Sequence, residues 1–243
     1  MIFEGAIATK AILEENKRDI DYLLIDINKK DRNTNYIKHL ASKKGIDVIL
    51  KSRDKIDEIA CGKTHGGIIT IANNRKFEKL TNQKFEKDEV IFFIDGIEDP
   101  YNLGYALRSL YCFGIKKVLI NSKHLINSDN IIIKSSAGAS EKMSLLLSEN
   151  PVDDINYLKS KYFTSALLIR SNHSEKYYNI NYQGKYIIGV GGEKRGLSKN
   201  IQSLFEKHIY IPYSSDFRNA LNATSAIVTI ASEIQRQKDT KSQ

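Results

Sequence analysis

The chain has 243 residues, with 37 Lys plus Arg against 29 Asp plus Glu, a formal charge of +8. A hydrophobic share of 41% with 27% charged residues is ordinary globular usage, which excludes a disordered chain and leaves room for one large domain or two modest ones. Two cysteines exclude a disulfide framework or a cysteine-rich metal knuckle, and neither a membrane-length apolar run nor a secretion signal is visible. These features predict a reduced, cytoplasmic protein without a membrane segment. A positive balance spread along the chain points to a polyanionic partner, with nucleic acid first among them.

The first elements alternate in type. Residues 6–15 read as a helix, 21–26 as a strand, and 34–44 as a helix that Gly45 stops. Residues 47–50 read as a strand, 53–60 as a short helix and 67–72 as a third strand. The stretch from Asn73 to Asp88 is polar and lysine-rich, with no sustained apolar period, and reads as a solvated connection. The units are placed at 1–75 and 89–243, with the linker at 76–88. The second unit alternates over longer spans, with strands at 90–95, 117–120, 166–170, 186–190 and 208–211. Helices are expected at 103–113, 152–161, 197–205 and 223–237. Continuous apolar strands separated by helices predict an α/β fold with a mostly parallel sheet covered on both faces.

Ligands of open α/β sheets collect beyond the carboxyl ends of the strands, and three unusual segments fall there. The first is Asp95-Gly-Ile-Glu-Asp-Pro-Tyr-Asn-Leu-Gly-Tyr-Ala-Leu-Arg108. Asn102 can cap the following helix, and Gly104 permits close approach of another backbone. Leu103, Ala106, Leu107, Leu110 and Phe113 form one apolar stripe, and Arg108 lies about 140° from Leu103, off that stripe. The second segment is Gly189-Val-Gly-Gly-Glu-Lys-Arg-Gly196. It fails as a dinucleotide fingerprint because position 194 is Lys, and it lacks the Gly-Lys-Ser/Thr of a Walker loop. It reads either as a turn entering a helix at Leu197 or as a loop whose bare backbone meets an adenine edge. The third is Ile211-Pro-Tyr-Ser-Ser-Asp-Phe-Arg-Asn-Ala-Leu-Asn222, ahead of an apolar helix.

In this order, and following a small α/β unit, the three segments resemble the SpoU (also called TrmH) family of RNA ribose 2′-O-methyltransferases within the SPOUT superfamily. The motif residues are Asp99-Pro-Tyr-Asn102-Leu-Gly104 with Arg108, then Gly191-Gly-Glu193-Lys-Arg-Gly196-Leu197, then Ile211-Pro212 with Ala220-Leu221-Asn222. Ser136-Ala-Gly-Ala139 is similar to the family's stretch between the first two. The resemblance implies a C-terminal α/β-knot domain with a deep trefoil knot, preceded by an L30e-like RNA substrate-binding domain. It also implies S-adenosyl-L-methionine as cofactor and a homodimer through the knot domain, acting on rRNA or tRNA. Two departures stand out: Ala220 replaces the family Ser, and the third motif is one residue longer than usual. Ser214, Ser215, Asn219 or Thr224 stands near enough in sequence to replace the lost hydroxyl.

Methyl transfer to an oxygen needs the ribose hydroxyl held in line and relieved of its proton. The resemblance assigns catalysis to Arg108, Asn102 and Glu193. A guanidinium stays protonated at working pH, so gripping a phosphate and stabilising alkoxide charge suits Arg108 better than proton abstraction. Asn102 would orient Arg108 or the ribose, and Glu193 would pair with Arg108 or with the second subunit. Cofactor contacts are expected at Gly191, Gly192, Gly196, Ile211, Pro212 and Leu221, with Asn222 closing the pocket. The chemistry calls for no metal, and the five His show no ligand spacing. For RNA, Lys10, Arg53, Lys63 and Arg75 are candidate contacts. The alternative is a catalytically weak RNA-binding or ribosome-assembly factor that kept the fold and lost rate with the third-motif Ser.

Overall fold

The computed structural model describes residues 1–121, 127–192, 195–216 and 219–241. The first unit runs β1 (Ile2–Glu4), α1 (Ala6–Glu15), β2 (Ile20–Asp26), α2 (Arg32–Lys43), β3 (Asp47–Lys51), α3 (Arg53–Ile59) and β4 (Ile68–Ala72). Its sheet has the order β1-β4-β2-β3, with β2 and β3 parallel and the other two pairings antiparallel. Asp31 caps α2 by accepting from the Thr34 amide, and Gly45, at φ 66°, takes the left-handed turn that ends it. β1 was not expected, because three residues cannot display a period.

The connection is less solvated than its composition predicts. Leu80 is buried, Glu78 bridges Leu146, and Phe85 meets Phe163 edge-on at 5.1 Å between ring centroids. Phe77 packs on the main core as well. Positions 77, 80 and 85 follow neither a helical nor a strand period, so the docking leaves no pattern to read.

The second unit contains β5 (Val90–Asp95), α4 (Pro100–Cys112), β6 (Lys117–Asn121), α5 (Asp129–Ser135), α6 (Ala139–Lys142), β7 (Ser144–Leu147) and α7 (Pro151–Ser160). It continues through β8 (Thr164–Leu168), β9 (Glu175–Lys176), β10 (Tyr186–Gly191), α8 (Lys199–Gln202), β11 (Lys207–Tyr210) and α9 (Ala223–Lys241). The sheet order is β7-β6-β5-β10-β8-β11-β9, and every pairing is parallel. The helix expected at 197–205 contracts to α8, and the strand expected at 166–170 lies two residues earlier. The short elements α5, α6, β7 and β9 were not expected.

Both faces of this sheet are covered, and the strand period shows it. Val90, Phe92 and Ile94 of β5 join one cluster with α4 and α9, while Ile91 and Phe93 join the other with α7 and α8. On β10 the alternation is kept by Tyr186, Ile188 and Val190 against Ile187. Gly189 has no side chain because a Cβ there would meet the Phe205 ring at 2.5 Å. β10 occupies the slot between β5 and β8, two strands already laid down, and so brings its glycine-rich end to the middle of the sheet edge.

The two units share a buried joint. Phe3, Ala8, Ala11, Ile12 and Ala72 pack with Ile133 of α5. Beside them Arg18 donates to both oxygens of Glu141, at 3.1 and 2.6 Å, and lies 2.6 Å from Asp129. Arg75 donates to Glu141 and to the Ser140 carbonyl. All four charged side chains are buried.

Candidate functional site

α4 starts where its sequence permits. Pro100 stands in the first turn, where its missing amide costs nothing, and Asp99 caps the helix by accepting from the Tyr101 amide. Asn102, expected to cap, is instead the third helical residue; its carbonyl accepts from the Thr224 hydroxyl at 3.1 Å, which ties α4 to α9. The stripe of Leu103, Ala106, Leu107 and Leu110 is buried, and Arg108 is exposed, with no hydrogen bond or ion pair to any described residue. Gly104 faces α5 so closely that a Cβ would overlap the Ser135 hydroxyl. Tyr101 and Tyr105 are about half exposed, and together with Arg108 they occupy positions i, i+4 and i+7 of one helix face.

The ends of β8, β10 and β11 surround a cavity of about 340 Å³. Gly191, Gly192, Gly196, Ile211 and Leu221 of the expected cofactor set line it, and Ala220 does too. Pro212 and Asn222 do not line it. The Asn222 side chain accepts from the Ser225 amide at 2.7 Å, in the manner of a cap for α9. Arg108 and Asn102 also lie outside the lining, while Glu193 falls outside the described residues. Thr224, one candidate to replace the lost hydroxyl, spends its hydroxyl on Asn102.

The glycines are required by contact rather than by mobility. A Cβ on Gly192 would run into the Gly96 carbonyl, and one on Gly191 would meet the backbone of Gly196 and Leu197 at 2.6 to 2.7 Å. A β-branched residue at 191 therefore disrupts the loop itself, so it cannot serve as a clean block of the pocket. Asp95 ends β5 in register with Gly191. Burial pushes its carboxyl up, and a hydrogen bond from Asn121 partly offsets that.

The sequence reading missed the wall made by Leu168, Ile169 and Arg170, together with Tyr210 and Tyr213. A signal existed: β8 is a parallel strand, so its carboxyl end belongs to the same edge as the three loops. Of the RNA candidates, Arg75 is buried in the joint, Arg53 pairs with Asp57 and Lys10 with Glu14, while Lys63 is exposed. Among the described residues no group of three His, Cys, Asp or Glu is placed to hold a metal ion, and no helix is long and apolar enough to cross a membrane.

Comparisons with known proteins address the whole chain. The family model described as the SpoU rRNA Methylase family matches residues 89–231, and the one described as RNA 2′-O ribose methyltransferase substrate binding matches residues 3–84. A Staphylococcus aureus protein assigned to the TrmH family of tRNA/rRNA methyltransferases is 27% identical over 223 residues, covering 90% of this chain and 89% of that protein. The 23S rRNA (guanosine-2′-O-)-methyltransferase RlmB of Acinetobacter baylyi is 24% identical, with 97% of each chain covered. The crystal structure of the SpoU methyltransferase AviRb from Streptomyces viridochromogenes, in complex with AdoMet, superposes with a TM-score of 0.82 at 16% identity. That alignment covers 99% of this chain and 91% of AviRb.

Proposed function

The chain belongs to the SpoU rRNA methylase family, and on that premise we propose how its residues bring a methyl donor and an RNA ribose together. The activity is S-adenosylmethionine-dependent transfer of a methyl group to a ribose 2′-hydroxyl in rRNA or tRNA. The observation that carries the site assignment is the convergence of Gly191, Gly192, Gly196, Ile211 and Leu221 on one cavity of nucleoside size. Glycines 191, 192 and 196 leave backbone bare beside a mostly apolar wall, which suits an adenine that stacks on apolar side chains and hydrogen-bonds to amides and carbonyls along its edge. When bound, the cofactor supplies a methyl group activated by a sulfonium.

Arg108 acts on the acceptor. It is exposed and unpaired among the described residues, so its planar fork is available to a phosphate, and its charge favours an alkoxide developing on the ribose. Asn102, six residues earlier on α4, orients the acceptor; its backbone is pinned by Thr224. Glu193 carries its role as partner of Arg108 on the motif alone. The family's third-motif hydroxyl is absent, since Ala220 lines the cavity there.

Arg108 is not among the residues that line the cavity of one copy. The reading therefore includes a homodimer through the second unit, with the Tyr101-Tyr105-Arg108 face of α4 turned to the partner. The chain threads as a trefoil knot where β10 enters between β5 and β8, and it works in the cytoplasm. Residues 1–75 hold the RNA, and binding weakens steeply with salt. Because that unit shares the buried Arg18–Glu141 joint, charge substitutions at exposed positions such as Lys63 test this better than deletion does.

The test is transfer of labelled methyl groups from S-adenosylmethionine to RNA by the purified chain. Mapping of 2′-O-methyl sites in a deletion strain against its parent would accompany it. A missing site restored by the gene supports the reading. Cofactor binding with no transfer to any RNA and no missing site would favour the catalytically weak factor.

A further inference from the structure

The cavity has one charged wall among its described lining residues, and none of the three motifs contributes it. Arg170 follows the carboxyl end of β8 and lines the cavity. Its guanidinium stands 5.6 Å from the centre of the Tyr213 ring and 5.9 Å from that of Tyr210, within cation–π range of both. The Tyr213 ring is itself tethered, because its hydroxyl accepts from the Leu221 amide at 2.7 Å. Arg170 makes no ion pair and no hydrogen bond to a described residue, so its N–H edge has no acceptor among the described residues. A guanidinium set against two aromatic rings has lost side-chain freedom in advance, and its fork matches a carboxylate in two parallel bonds.

We propose that Arg170 receives the carboxylate of the methyl donor's amino-acid tail, and thereby fixes which way the donor lies in the cavity. The inference rests on the reading of this cavity as the cofactor site. The donor is an adenosine joined through sulfur to an amino acid, and its carboxylate is its one anionic group. Among the described lining residues Arg170 carries the one positive charge: Tyr210, Tyr213 and Asn219 offer neutral donors, and the Gln202 amide already donates to the Leu197 carbonyl. Arg170 is thus a binding residue for the tail, separate from the backbone that meets the adenosine.

The experiment compares ligands that share the adenosine and differ in the tail. Full-length parent, Arg170→Ala and Arg170→Lys are titrated calorimetrically with S-adenosylmethionine, S-adenosylhomocysteine and 5′-methylthioadenosine at one ionic strength. Melting curves verify that each variant is folded. Arg170→Ala should weaken the two ligands that carry the tail about 10- to 100-fold, the range of a hydrogen-bonded charge contact, and should change 5′-methylthioadenosine less than about threefold. Arg170→Lys should recover part of the loss. Equal losses for all three ligands would overturn the inference by showing that Arg170 only shapes the cavity. Unchanged binding of all three, with RNA affinity reduced, would overturn it in favour of a phosphate contact. A parent that binds none of the three would overturn the cofactor reading and this inference together, a pattern separate from the other two.

Discussion

The joint between the two units and the exposed surface of the second unit treat arginine in opposite ways. Arg18 and Arg75 are buried, and both point at Glu141 and Asp129, with Arg18 also stacked over Phe3 at 4.5 Å. Arg108 and Arg170 are exposed, and neither meets a carboxylate among the described residues. A charge moved out of water must be matched inside the protein, so the joint arginines are consumed by the fold. A charge left at the surface without a partner costs the fold nothing and remains available to an anion. Burial, rather than overall charge, separates the arginines that the fold consumes from those left free to meet an anion. Arg75 shows the lesson: sequence charge placed it among RNA contacts, and burial removes it.

The largest expected effect tests the exposed side. Arg108→Ala should lower single-turnover methylation of saturating RNA by about a thousandfold, the scale of losing one transition-state donor. Melting temperature and cofactor affinity should change little, since no described residue leans on the side chain. Arg108→Lys keeps a charge but loses the fork, so most of the loss should remain. Near-parent rates for Arg108→Ala would break the division between the two arginine pairs.

The buried side should respond in stability instead. Glu141→Gln leaves Arg18 and Arg75 with Asp129 as their one remaining carboxylate, and removing a member of a buried ion cluster costs about 3–5 kcal/mol. For a chain of this size that is a fall of roughly 6–20 °C in melting temperature. Rate at a temperature where the variant stays folded should hold. A large loss of rate there would mean that the joint also positions the site.

Much of this was legible in the sequence, and the failures have physical reasons. α1, β5 and β10 carry strong periods or continuous apolar runs, and their bounds match to within a residue. Gly191 and Gly192 were expected to make room for a ligand. Gly191 makes room for the backbone of its own loop and Gly192 for that of Gly96, contacts that no sequence pattern shows because it does not tell where a Cβ would point. Pairing in the joint joins residues more than a hundred positions apart, as Arg18 and Glu141 are, and local spacing is blind to it. The Arg170 wall lay beyond a strand whose end was placed two residues late.

A smaller effect follows from those glycine contacts. Gly192→Ala should destabilise the chain by about 1–3 kcal/mol, the usual cost of forcing a methyl into a packed site, and should weaken cofactor binding with it. Gly196→Ala meets open space but must hold φ at 60°, so its cost should be nearer 1 kcal/mol. Denaturant titration of the two variants ranks them. The reverse order would show that the Gly96–Gly192 approach relaxes easily.

Asp95 gives the smallest effect and the sharpest test of the charge rule. It is a half-buried carboxylate whose one favourable partner among the described residues is the neutral Asn121 amide, in contrast to the carboxylates of the joint, which face guanidinium groups. Burial raises its folded-state pKa above the unfolded value, so the folded chain binds the proton more tightly than the unfolded chain does. The ionised form is therefore a penalty, present in full above the folded pKa and relieved as pH falls toward the ordinary carboxylate range. Asp95→Asn removes that penalty while keeping a group that can pair with Asn121. The variant should melt above the parent at neutral and mildly alkaline pH, and the gap should close as pH is lowered through the folded pKa. A gap that stays constant with pH would assign the change to packing beside Gly191 rather than to charge. A variant that melts below the parent at neutral pH would mean that the carboxylate is stabilised there by a counter-charge, and the contrast with the joint would fail at this position.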